Sequence, residues 1–163
     1  MAQTCNEYTV CLLFTENLSR ILLKQMPATA TKMASLNGLG GKIGPGETPL
    51  ENALRKIWED TALPDDIRDA SISNLTWLGT LSLPEDCKTG AAASSDPATP
   101  TCVLHYYAAI MNEAFERHIR HHATKPLMLT ETNTVLFSRV TDPTWAHSGN
   151  LQYFTHLAVQ KLR

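Results

Sequence analysis

Apolar runs alternate with polar breaks along this chain at spacings that suit short strands joined by turns, with helices between them. Tyr8–Phe14 (YTVCLLF) is a β-rich apolar run of the kind a buried strand needs. Thr15–Ser19 is polar and can turn the chain, and Arg20–Gln25 (RILLKQ) returns it, so this pair predicts a hairpin. Met26–Ser35 is small and polar and predicts a loop. Ser71–Leu83 alternates as a strand bent at Gly79. Val103–Met111 and Thr134–Val140 read as further strands, while Asn112–His122 fits either a short helix or an irregular excursion. Leu151, Phe154, Leu157, Ala158 and Leu162 recur at helical spacing and predict a closing helix over Asn150–Leu162. Pro84–Thr101, rich in alanine, serine and proline, predicts a mobile loop. No repeat or internal boundary breaks this order, which predicts one domain over 1–163 with helices packed on a mixed sheet, of the α/β or α+β class.

The strongest local signal is a helix start at Thr48-Pro49-Leu50-Glu51. Thr48 can cap the first backbone N–H groups while Glu51 reaches back as the other half of a capping box. Pro49 falls at the first helical position, where a missing N–H is harmless. Leu50, Ala53, Leu54, Ile57 and Trp58 define an expected buried face, with Asn52, Arg55, Lys56, Glu59 and Asp60 opposite and Pro64 as the stop. By itself the polar side suits an ordinary solvated face, since Lys56 stands three and four residues before Glu59 and Asp60. The lead-in changes that weighing. Gly38, Gly40, Gly41, Gly44 and Gly46 fall within nine residues, and a glycine-rich loop feeding a capped helix can bring backbone N–H groups close to phosphate.

Composition narrows the classes. The chain has 163 residues, enough for one substantial core. With 43% hydrophobic and 18% charged residues it reads as a soluble globular protein. The net charge of −2 and the lack of a basic tract argue against a nucleic-acid polymer as partner. A single nucleotide stays open. No apolar run reaches membrane-spanning length, and the N-terminus MAQTCNEYTV lacks a basic segment with an apolar one behind it, so a cytoplasmic location is expected. Cys5, Cys11, Cys87 and Cys102 show no C-x-x-C spacing and are expected to be free thiols.

The segment GGKIGPGETPLENALRKIWEDTAL resembles the Nudix box, G-x(5)-E-x(7)-R-E-U-x-E-E-x-G-U with U bulky and apolar. Gly41, Glu47, Arg55, Ile57, Glu59 and Leu63 match. Asp60 replaces the second glutamate of the pair, Ala62 the glycine, and Lys56 the glutamate after the arginine. The flanking LNGLGGKIGPGET and the preceding YTVCLLF look like the MutT branch, which clears oxidised purine triphosphates. The resemblance implies an α/β/α sandwich around a mixed sheet. It implies hydrolysis of a nucleoside triphosphate such as 8-oxo-dGTP to monophosphate and pyrophosphate, dependent on Mg²⁺ or Mn²⁺. It further implies Glu59 and Asp60 as metal ligands together with a carbonyl near Gly41, Glu47 and Arg55 as the ion pair that supports loop and helix, and Lys42 at the phosphates. Asn37 matches a base-reading asparagine of that branch. Asn150 falls where the branch has a base-reading acid, and suits a helix N-cap as well. Glu131 fits both an added metal-site glutamate and an ordinary loop glutamate.

Lys56 sets the open question. Two unit charges about 4 Å apart interact by about 4 kcal/mol at an effective dielectric of 20, so a lysine beside a divalent ion reverses the sign of a large attraction. Its side chain can swing to solvent, its ammonium can stand in for one metal beside Glu59, Asp60 and phosphate, or the site can be catalytically weak. The alternative to a hydrolase is therefore a nucleotide-binding or regulatory module of the same fold. His118, His121 and His122, with His105, offer a transition-metal reading, but no cysteine or close carboxylate completes such a site, and surface histidines beside Arg117 and Arg120 are the preferred reading.

Overall fold

A computed structural model describes residues 5–26, 35–68, 72, 74–84, 101–123, 134–141 and 149–163. Strand β1 (Asn6–Phe14) is its axis. On one side β1 pairs in parallel with β6 (Thr101–Ile110) along its whole length, from Asn6 opposite Cys102 to Phe14 opposite Ile110. Beyond β6 lies antiparallel β5 (Thr76–Pro84). The other side of β1 is shared. Only Leu13 and Phe14 pair with β2 (Arg20–Met26), whereas Tyr8–Cys11 pair with β4 (Leu39–Lys42). β2 turns away to pair with β3 (Ser35–Asn37) and β7 (Thr134–Arg139). The predicted hairpin is present, but its strands part after two residue pairs.

Gly38 joins β3 to β4 at this parting. A Cβ there would stand 2.7 Å from Val10 Cγ1 and 2.8 Å from the Cys11 carbonyl oxygen, so only glycine fits. Gly40, at φ +144°, is tighter still, because a Cβ would meet the Thr9 carbonyl oxygen at 2.1 Å. The glycine-rich lead-in is thus not the loop its composition suggests. Four of its residues form β4, because pairing to β1 overrides the weak strand propensity of Leu-Gly-Gly-Lys.

Alternation along β1 sorts the core into two layers. Cys11 and Leu13 pack with Ala53 and Ile57 of α1 (Pro49–Thr61) and with Phe115 and Ile119 of α3 (Glu113–Ala123). Val10, Leu12 and Phe14 pack on the other face with Leu151, Phe154 and Ala158 of α4 (Gly149–Leu162). The result is the α/β/α sandwich around a mixed sheet that the resemblance implies. Tyr106 of β6 stacks on Phe154 at 3.7 Å between ring centroids and anchors α4. Asn112–His122 resolves as a helix, capped where Asn112 Oδ1 accepts a hydrogen bond from the Phe115 N–H at 2.9 Å. A one-turn helix, α2 (Asp65–Arg68), also follows Pro64. The bend in β5 falls at Gly79, φ +154°, where the register shifts against β6. Of the expected loop Pro84–Thr101, the two end residues belong to β5 and β6, and residues 85–100 lie outside the described residues. Among those described, no helix is long and apolar enough to cross a membrane.

Helix α1 keeps its capping box: the Thr48 side chain accepts from the Glu51 N–H, and the Thr48 N–H donates to Glu51 Oε2 at 2.8 Å. The expected burial pattern needs correction. Leu50 is 46% exposed, whereas Asn52 is fully buried with Ala53, Ile57 and Thr61. The packed face is rotated toward the polar side because α1 sits on β4 as well as on β1.

The helix exits through Ala62 in the left-handed conformation, φ 46° and ψ 37°. A side chain costs about 1–2 kcal/mol there, and glycine relieves most of it. Ala62→Gly is therefore expected to stabilise the protein by about 1 kcal/mol, raising its melting temperature by roughly 2–4 °C in a calorimetric scan. An unchanged or lower melting temperature would show that the left-handed exit carries no strain.

Candidate active site

β4 and α1 face each other across a short turn. Asn52, Lys56 and Asp60, spaced by four, form the row of α1 nearest β4. Asn52 is the junction. Its Nδ2 donates to the Lys42 carbonyl and to Glu47 Oε2, both at 2.8 Å, and its Oδ1 accepts from Thr9 Oγ1 at 2.5 Å. One buried side chain therefore ties α1 to β1, to β4 and to the turn.

Glu47 is held from three directions. Its Oε1 accepts from Arg55 Nε at 2.7 Å, and its Oε2 from Arg55 Nη2 at 2.9 Å, from Asn52 and from the Gly44 N–H at 3.0 Å. These hydrogen bonds, those from Arg55 first, hold the Glu47 carboxyl far below the usual carboxylate range. Arg55 in turn reaches Glu59 Oε1 through Nη1 at 2.7 Å, and its own proton is held correspondingly tighter by Glu47 and then Glu59. Lys56 Nζ donates to Glu59 Oε2 at 2.8 Å, which is the leading cause of a lowered Glu59 carboxyl.

The Lys56 stem lies over Gly41: a Cβ on Gly41 would stand 2.9 Å from Lys56 Cε. The lysine does not swing away to solvent. Asp60 is engaged elsewhere, accepting from Lys24 Nζ at 2.9 and 3.1 Å and from the Gly40 N–H at 3.1 Å. This pair is largely buried, with 13% and 12% side-chain exposure. Lys24 also donates to the Gly40 carbonyl at 3.4 Å.

Asn37 stands directly opposite Lys24 in the β2–β3 register, so it projects from the same sheet face as Lys24. It is exposed, and its Oδ1 accepts from the Gly38 N–H at 2.9 Å. Lys42 is exposed and lines a groove of about 780 Å³ with Glu7, Gly44, Glu47 and Thr48. Asn150 is exposed in the first turn of α4, on the sheet face opposite α1, and so is not brought to this cluster. Glu131 lies outside the described residues. His118 faces the Thr61 carbonyl at 3.3 Å, where α3 meets the end of α1.

No protein-family model matches the sequence, and no curated protein matches it either. Solved structures do match the fold. A mutator MutT protein from Bacillus halodurans superposes with a TM-score of 0.59 at 18% identity, covering 94% of this chain and 82% of that one. A NUDIX hydrolase from Nitrosomonas europaea gives a TM-score of 0.63 at 11% identity over 98% and 92% of the two chains. This chain has the Nudix fold. NrtR from Shewanella oneidensis shares it, with a TM-score of 0.63 at 17% identity, and this chain spans 63% of its length.

Within this Nudix fold the box residues meet as their spacing requires, but each carboxylate already has a cation. Glu47 holds Arg55, Glu59 holds Arg55 and Lys56, and Asp60 holds Lys24. The donor chemistry, oxygen throughout, suits Mg²⁺ or Mn²⁺. The arrangement does not: an ion at Glu59 meets the Lys56 ammonium, and one at Asp60 must break a buried pair. Among the described residues no three acidic, histidine or cysteine side chains converge as a metal cage. Two partners were not legible as site residues. Lys24 is a charge directly after the apolar triplet Ile21-Leu22-Leu23, and Asn52 stands four residues before Lys56 on a helix where asparagine is unfavourable. Those oddities were the available signals.

Asn52→Ala removes the junction and leaves Thr9 and the Lys42 carbonyl without this partner. An unfolding free energy lower by about 2–4 kcal/mol is expected from urea titration, and a loss under about 1 kcal/mol would remove Asn52 from that role. Acid sensitivity follows from Glu47 and Glu59. Their folded carboxyls lie below the unfolded value of about 4.3. Their stabilisation is therefore complete above that value and disappears as pH falls through the folded values. Stability measured by urea unfolding is expected to fall on acidification below about pH 4.5, and to fall less steeply in Glu47→Gln.

Proposed function

We propose that the chain is a Nudix-type hydrolase of nucleoside phosphates with low turnover, cleaving a nucleoside triphosphate to monophosphate and pyrophosphate. The observation that carries this reading is the Glu47–Arg55–Glu59 chain of ion pairs, which fixes the box helix in register beside Gly40 and Gly41 of β4. A mutator MutT protein and a NUDIX hydrolase among the structural neighbours support it. In the reaction a water oxygen bonds to phosphorus, one bridging P–O bond breaks toward the departing phosphate oxygen, and the surplus proton passes to solvent. Asn37, placed on the same sheet face as Lys24, is the side chain we assign to the base. An amide can donate to and accept from an oxidised purine edge, which makes 8-oxo-dGTP the leading substrate. Lys42, on the groove, is assigned to the phosphates. The protein is assigned to the cytoplasm, with a small nucleotide as its partner.

The pairing of Lys56 with Glu59 over Gly41 favours a second reading, a nucleotide-binding module in which hydrolysis is lost. Pyrophosphate release from a nucleotide panel in Mg²⁺ and in Mn²⁺ separates the two. Slow but measurable release, greatest with an oxidised purine triphosphate, is expected, and Lys56→Glu should raise it by about tenfold or more. Nucleotide binding with no release in either metal would establish the binding module instead.

A further inference from the structure

We propose that Lys56 lets this site bind a diphosphate or triphosphate chain without a divalent ion, an inference that rests on the nucleotide reading above. Glu47, Glu59 and Asp60 face Lys24, Arg55 and Lys56, so the cluster is neutral. With a glutamate at position 56 the same cluster would carry −2, and a polyphosphate would need a metal ion to approach it. The lysine removes that requirement at its source.

Position and donor capacity agree with the charge. The Lys56 stem crosses Gly41 in the space that a Cβ would take, and such a Cβ would be 3.6 Å from Nζ. The ammonium therefore lies against the backbone of β4, beside the only stretch of the box strand without side chains, rather than out along the helix surface. An ammonium has three N–H donors. Among the described residues, one is used, by Glu59 Oε2. Glu59 is itself shared with Arg55 and about half exposed, so it holds Lys56 in place without burying it. Lys24, by contrast, is committed to buried Asp60 and the Gly40 carbonyl and serves the scaffold. A phosphate oxygen arriving over Gly41 would meet a fixed, partly exposed cation, the role a point-charge lysine performs at phosphate.

The test is calorimetric titration of the full chain with inorganic pyrophosphate and with dGTP, in EDTA and in excess Mg²⁺. The Kd in EDTA is expected to lie within about threefold of that in Mg²⁺. Lys56→Gln should lose about tenfold or more in EDTA, and Lys56→Glu should lose at least as much and recover when Mg²⁺ is added. Should Lys56→Glu fail to fold, the wild-type comparison and Lys56→Gln decide. Wild-type binding seen only with Mg²⁺ overturns the inference and leaves the nucleotide reading standing. Ion-free binding unchanged in both variants overturns the assignment to Lys56. No binding of either probe in either buffer overturns the inference and the nucleotide reading together.

Discussion

Buried Asn52 is the constraint on which the arrangement of this site depends. An amide inside a helix, fully removed from water, is tolerated only when its donors and acceptor are matched. Here they are matched by three separate pieces of backbone and side chain: Thr9 on β1, the Lys42 carbonyl on β4 and Glu47 on the turn. Helix and strands are thereby fixed to one another within hydrogen-bond tolerance. A leucine at the same position could fill the space but could not set the register. The Gly44–Glu47 turn, the Arg55 strut and the Lys56 crossing over Gly41 all inherit their positions from that junction.

From it follows an electrostatic division of labour along α1. The row nearest β4 ends in Asp60, which is latched by Lys24 and the Gly40 N–H and is largely buried. The outer row carries Arg55 and Glu59, both about 40–50% exposed. Pairs of the first kind are expensive to break, because removal of one partner strands a desolvated charge. Pairs of the second kind contribute little to stability. Lys56 belongs to the row nearest β4 but is less buried than Asp60, at 25% exposure. It is held against β4 over Gly41 and is still partly open to an approaching ligand.

Much of the fold was readable from the sequence where local pattern and burial coincide. YTVCLLF, VLHYYAAIM and the Thr48–Glu51 capping box each carry their structure in adjacent residues, and each is found in place. The features that the sequence pattern does not carry depend on distant partners. Leu-Gly-Gly-Lys is a strand only because β1 offers it hydrogen bonds, some thirty residues away in sequence. Lys24 finds Asp60 across 36 positions. Counting apolar residues put Leu50 inside α1 and Asn52 outside, whereas the second strand beneath the helix turned the packed face the other way. The resemblance to the Nudix box implied the Glu47–Arg55 pair, which is present, and Glu59 joins Arg55 because it stands four residues further along α1. The resemblance could not announce that Lys56 would lean inward, because a flexible lysine at a helix flank has many rotamers and the Gly41 gap that receives it belongs to another element.

The pattern of what this box keeps and what it has replaced has a physical logic. Glu47 and Arg55 form the strut, Ile57 and Leu63 are buried in the core, and the acid at position 60 latches β2 and β4 to the helix. Each is needed for the fold itself, whatever the site does. Position 56 is different: it is partly exposed, and among the described residues its ammonium pairs with the half-exposed Glu59. A change of charge there costs the fold little and alters the field at the site by two units. The surviving motif is therefore direct evidence for architecture and only indirect evidence for chemistry. In this chain the two come apart at one side chain, because position 56 carries a cation where the box pattern has a carboxylate, and the fold is kept regardless.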